Sequence, residues 1–185
     1  MEAIGLWEVN LLHELSSHAT SFWDVFWTGI TTLGDAGLFW IVLALVLMIF
    51  PKTRWAGFSM GLALLLGLIL GNGVLKNVVG RLRPYDLDPT LIPRLAAEHL
   101  PSDLSFPSGH TLASFEAATV LFLYHRKSGI AALFLAALIA FSRLYLLVHF
   151  PSDVLFGALL GVGIALVSVK IMEALKKKYS PVKEK

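Results

Sequence analysis

The chain has 185 residues, 56% of them hydrophobic, a mean hydropathy of +0.73 and a formal net charge of only +2. That is too apolar for an ordinary soluble domain and points to an integral membrane protein of one domain, with no nucleic-acid partner expected. There is no cysteine, which excludes a disulfide framework, a thiolate metal site and a cysteine nucleophile.

The N-terminus lacks a basic region followed by an apolar core and a small-residue cleavage site, so no cleaved signal peptide is expected. Residues 3–18 carry Glu8, Asn10, His13, Glu14 and Ser16, too costly for hydrocarbon. Ile4, Trp7, Leu11 and Leu15 share one helical face, which suits an amphipathic helix lying in the interface. In residues 21–33, Ser21 is the expected N-cap with Asp24 three positions on. The cluster Phe22, Trp23, Phe26 and Trp27 is of the kind found at headgroup level.

Five spans are predicted, at about 35–50, 55–79, 108–124, 129–148 and 151–172. The fold class is therefore all-α, a polytopic helical bundle preceded by interfacial helices. As a single domain over 1–185 it divides into interfacial helices (1–33), spans one and two (34–79), an outer loop (80–107), spans three to five (108–173) and a basic cytoplasmic tail (174–185). Five crossings put three basic groups on one side: Lys52 with Arg54, Arg126 with Lys127, and Lys170, Lys176, Lys177, Lys178, Lys183 and Lys185. The positive-inside rule makes that side cytoplasmic. Lys76, Arg81, Arg83, Arg94 and Arg143 then lie at or near the outer face. The loop 80–107, with five prolines counting Pro107 at its end, is long for a compact domain, and loops of that length are commonly functional.

Three polar clusters break the apolar pattern. In the first, Lys76 and Arg83 are seven residues apart, so a persistent helix would place them on one face about 10 Å apart, with Asn72 alongside. Pro84 biases Arg83 out of the helix. Both cations suit phosphate, and snorkelling to an interface is the bland alternative. In the second, Pro107-Ser108-Gly109-His110 opens span three, where a hydroxyl and unpaired backbone N–H groups make an anion site. An incidental helix start with a histidine is the alternative. In the third, Arg143 lies deep in an apolar stretch, and Asp153, four residues after His149, could hold one imidazole nitrogen and leave the other free to attack. An interfacial histidine capped by its neighbour is the alternative.

Taken together, Lys76 with six residues before Arg83-Pro84, then Pro107-Ser108-Gly109-His110, then Ser142-Arg143 with five residues before His149 and three before Asp153, resemble the three-part signature of the type 2 phosphatidic acid phosphatase family. The likeness runs from Lys76 to about Gly161. Leu147 stands where a glycine is common in relatives. The resemblance implies a catalytic core arranged as in vanadium haloperoxidases and metal-independent hydrolysis through a phosphohistidine, with no cofactor. It assigns attack on phosphorus to His149, orientation of that imidazole to Asp153 and leaving-group protonation to His110. Lys76, Arg83, Arg143, Ser108 and Gly109 would hold the phosphate, with Arg81 a steering cation.

Glu116, six residues past His110, reads best as a buried structural hydrogen bond. His13, His18, His99 and His125 lack metal-ligand spacing. Gly61, Gly67, Gly71, Gly73, Gly157, Gly161 and Gly163 read as helix-packing positions. The expected partners are membrane lipids and a lipid phosphate substrate. The family resemblance alone favours undecaprenyl diphosphate, with phosphatidylglycerophosphate, phosphatidic acid and lipid A phosphates as further candidates. The expected place is a bacterial inner membrane with the site on the extracytoplasmic face. A lipid phosphotransferase, or a non-hydrolytic lipid-phosphate binder or transporter, is the rival reading; retention of both His149 and His110 argues against the binder.

Overall fold

The computed structural model describes residues 5–179; Ile4, Lys183 and Lys185, named above, lie outside them. Among the described residues all regular structure is helical. The elements are α1 (Leu6–Ser17), α2 (Ser21–Thr32), α3 (Leu38–Ile49), α4 (Arg54–Gly67), a π-helical stretch (Leu68–Leu75), α5 (Lys76–Val79), α6 (Pro84–Leu87), α7 (Gly109–Tyr124), α8 (Arg126–Tyr145) and α9 (Pro151–Tyr179).

Among the described residues four helical runs are long and apolar enough to cross a membrane: Ser21–Ile49, Arg54–Leu87, Arg126–Tyr145 and Pro151–Tyr179. The expected fifth span, α7, has 16 residues, which is about 24 Å of helix. It is the central helix, enclosed by α4, α8 and α9. Its Ser114, Ala117, Ala118 and Val120 are buried against those neighbours and need not meet lipid. Leu45, Leu65, Phe134, Leu159 and Val167, on the surrounding helices, are exposed as a lipid-facing surface requires.

Close approach to α7 explains several of the glycines. A Cβ on Gly157 would meet the Ser108 carbonyl, one on Gly161 the Leu112 carbonyl, and one on Gly67 the Glu116 carboxyl. The packing expectation fails at Gly163, which faces open space, and at Gly73, which has only ordinary contact with a neighbouring carbonyl.

The N-terminal segments differ from the sequence expectation. Helix α1 is docked on protein: Leu12 is fully buried with Leu91, Leu147 and Phe150, while Trp7 and Leu11 stay exposed. The cap of α2 is Thr20, whose hydroxyl accepts from the Trp23 N–H at 3.5 Å, one residue before the expected Ser21. Trp27 packs on Phe141 and Tyr145 of α8, so its aromatic cluster serves a helix interface. Between α2 and α3 the chain turns at Ala36 (φ 49°) and Gly37 (φ 65°), which ends one helix and redirects the next. At the far end of the second span, Gly80 (φ 63°) closes α5 in a left-handed cap, so the helix does not persist to Arg83.

Candidate active site

The link between α8 and α9 carries the first part of the site. Leu146, Leu147 and Val148 are buried, and Leu147 adopts φ 60°, the left-handed region that favours glycine. That is the position noted above where glycine is common in relatives. The turn delivers His149 into the interior, and Pro151 starts α9 two residues later. Asp153, in the first turn, accepts the Phe150 N–H at 2.9 Å and the Ser105 hydroxyl at 2.6 Å through Oδ2. The same oxygen lies 3.5 Å from His149 Nδ1. His149 Nε2, on the other edge of the ring, is 3.3 Å from Arg83 Nη1. Burial pushes the imidazole down to about 3; Arg83 and Arg143 add to the shift and Asp153 opposes it. The ring is therefore neutral at physiological pH, with a lone pair available.

The cations come from three elements. Arg83, extended after Gly80, donates to the Val148 carbonyl at 2.6 Å and to the Asp103 carbonyl at 2.7 Å. Its Nη2 pairs with Asp103 Oδ1 at 2.5 Å, and Lys76 pairs with the other carboxylate oxygen. Partial burial alone would raise the Asp103 carboxyl, but bonds from Lys76 and Arg83 hold it below the usual carboxylate range. Arg143, fully buried on α8, donates from Nη1 to Thr31 Oγ1 at 2.5 Å, and its Nε has no hydrogen-bond partner. His110 Nε2 lies 2.8 Å from Asp35 Oδ1.

Lys76, Arg83, Gly109, His110, Arg143 and His149 line one cavity of about 430 Å³. Asp153 stands behind His149, outside the lining. The Ser108 hydroxyl accepts from Thr111 at 3.0 Å and is also outside it. The cavity continues between α3, α4 and α7 as an apolar arm lined by Ile41, Leu64, Leu68 and Leu112. Glu116 lines that arm, and its buried Oε1 has no partner, contrary to the structural hydrogen bond expected of it. Arg81 points away from the cavity and pairs with Asp153 Oδ1 at 2.5 Å, so it is not placed as a steering cation. Among the described residues no group of three or more His, Asp or Glu side chains could hold a metal ion.

Sequence reasoning missed Asp103, Ser105, Thr31, Asp35 and Glu8. The only available signal was polarity in an apolar context, which does not name a partner: His110 and Asp35 are 75 positions apart, and Arg143 and Thr31 are 112 apart.

The sequence model of the PAP2 superfamily matches residues 52–177. An undecaprenyl-diphosphatase from Sulfolobus acidocaldarius is 37% identical over 134 residues, 71% of this chain and 63% of that protein. This chain thus spans somewhat under two thirds of that relative. The crystal structure of a transmembrane PAP2-type phosphatidylglycerolphosphate phosphatase from Bacillus subtilis superposes with a TM-score of 0.73 at 27% identity, covering 99% of this chain and 90% of that one. A bacterial vanadium-dependent iodoperoxidase superposes at 0.71 with 18% identity over 90% of this chain and 48% of that one, a likeness of fold alone.

Proposed function

The chain belongs to the PAP2 superfamily, and on that premise we propose that it hydrolyses a lipid phosphate or pyrophosphate through a phosphohistidine on His149. The main support is the His149 ring: neutral, with a carboxylate 3.5 Å behind Nδ1 and Nε2 turned to Arg83 and the cavity. In this reading the Nε2 lone pair forms the P–N bond as the bond from phosphorus to the lipid oxygen breaks. His110 donates a proton to that oxygen, then takes one from the water that cleaves the phosphohistidine and frees phosphate. Asp153 fixes the tautomer and balances the charge that grows on the imidazole. Lys76, Arg83 and Arg143 hold the phosphoryl oxygens, with Gly109 and the Ser108 turn at the helix start. The unpartnered Arg143 Nε is a donor that an oxyanion would satisfy.

The apolar arm supports an amphiphilic substrate whose chain enters between α3 and α4. Among lipids, undecaprenyl diphosphate is favoured, in line with the name of the Sulfolobus relative. The single domain acts from the extracytoplasmic face of a bacterial inner membrane. Support for that side comes from Lys52, Arg54, Arg126, Lys127 and Lys176–Lys178, which sit at helix ends opposite those that carry the site. The test is phosphate release in detergent with EDTA present, from a panel of lipid mono- and diphosphates, beside His149→Ala. Release by the wild type alone supports the reading. Loss of activity in EDTA that Mg²⁺ restores overturns the mechanism. Lipid binding without release moves the assignment to a binder or phosphotransferase.

A further inference from the structure

Helix α1 lies outside the region matched by the family, yet it reaches the back of the site. Glu8, 3% exposed, accepts from Arg81 Nη2 at 2.7 Å through Oε2 and from the Ser152 N–H at 2.8 Å through Oε1. Arg81 in turn donates to Asp153 Oδ1 at 2.5 Å and to the Ser152 hydroxyl at 2.6 Å. Its guanidinium also lies 4.1 Å over the Phe150 ring. Glu8, Arg81 and Asp153 thus form a buried chain ending at His149.

The charges in this chain matter more than the number of bonds. Asp153 and Arg81 alone would sum to zero, and because Asp103 is shared between Lys76 and Arg83, His149 would face Arg83 and Arg143 with no carboxylate charge left over. Positive charge must build on His149 as it takes the phosphoryl group. With Glu8 the triplet carries a net charge of −1, and Asp153 regains its ability to balance that charge. Glu8 also ties α1 to the first turn of α9, which carries Asp153. We propose that Glu8 is a positioning residue of the active site: by neutralising Arg81 it keeps the charge of Asp153 available to His149, which makes the N-terminal helix part of the catalytic unit. This rests on the phosphatase reading above.

The experiment compares full-length wild type, Glu8→Gln, Arg81→Gln and the double variant, in detergent, for kcat and KM on the best lipid phosphate. In E8Q the Arg81 charge is uncompensated, so kcat is expected to fall about tenfold or more with KM within about threefold, because no cavity-lining cation is touched. Removing that charge as well, in E8Q/R81Q, should raise kcat severalfold above E8Q. A structural brace would give the opposite order, with the double variant worst. R81Q alone leaves Asp153 its full charge and its bonds from Ser105 and Phe150 but leaves Glu8 buried without its cation, so its unfolding temperature should fall while the kcat of the folded protein drops by less than about tenfold. It carries the test if E8Q does not fold. Equal kcat in E8Q and wild type, or a double variant no faster than E8Q, overturns the inference. So does a tenfold rise in KM for R81Q, which would assign Arg81 to the phosphate. No turnover by the wild type would instead refute the phosphatase reading itself.

Discussion

Replacing Asp153 with asparagine tests how the site sets the state of His149. The carboxylate is fully buried and is used on both oxygens: Arg81 on Oδ1, and Ser105, the Phe150 N–H and the His149 edge on Oδ2. Asparagine offers one acceptor oxygen and one NH₂ donor, so neither orientation satisfies all of these donors. With NH₂ towards Arg81, two donors face each other in a dry site. With NH₂ towards His149, the ring must accept at Nδ1, which moves its proton to Nε2 and removes the lone pair facing the cavity. Loss of a charge-assisted bond costs about 1.5–3 kcal/mol. Since Glu8 and Ser152 still hold Arg81, the total is expected at or below the about 3–5 kcal/mol that breaking a buried ion pair costs. The wrong tautomer is expected to lower kcat by about 10³-fold or more, as for a carboxylate that orients a histidine in other nucleophilic sites. Thermal unfolding in detergent and phosphate release measure the two effects separately. A folded variant with kcat within about tenfold of wild type would refute the role given to Asp153.

Other perturbations separate the remaining contributions. Asp103→Asn removes the carboxylate that now occupies Lys76 and Arg83, so KM for a lipid phosphate should fall about three- to tenfold, given that Asp103 is half exposed while both cations are buried; a rise in KM would show that Asp103 is needed to place the cations. His149 resists protonation down to about pH 3 when folded, whereas an unfolded histidine titrates near 6.5. Its stabilising contribution is therefore complete above pH 6.5 and is lost, at up to about 1.4 kcal/mol per unit, as the pH falls below that value. Unfolding temperatures from pH 7.5 to 5 should drop more steeply for the wild type than for His149→Ala, and equal slopes would contradict the burial argument. Gly161→Ala places a Cβ 2.8 Å from the Leu112 carbonyl, forcing α9 from α7, and should cost about 1–3 kcal/mol. Because α9 carries Asp153 and α7 carries His110, kcat should fall with it; an unchanged unfolding temperature would mean that the interface has slack.

The sequence alone determined the membrane environment, the all-helical class and the polar clusters around Lys76, His110 and His149. Each charge in a long apolar run needs a partner or a polar cavity, and three such clusters at fixed spacing leave few arrangements. The span predicted from 151 also matches the start of α9 at Pro151, since first-turn chemistry is local. Only the tertiary structure decided who pairs with whom. Asp103 bridges Lys76 and Arg83, Asp35 meets His110, and Glu8 reaches Arg81 across 73 residues. Hydropathy read Glu8 only as too costly for hydrocarbon, because it ranks the cost of burying a charge and carries no information about an ion partner that removes it. For α7 apolarity alone indicated a span, while its small side chains and the glycines of α9 decide that it runs inside the bundle, with protein rather than lipid around it.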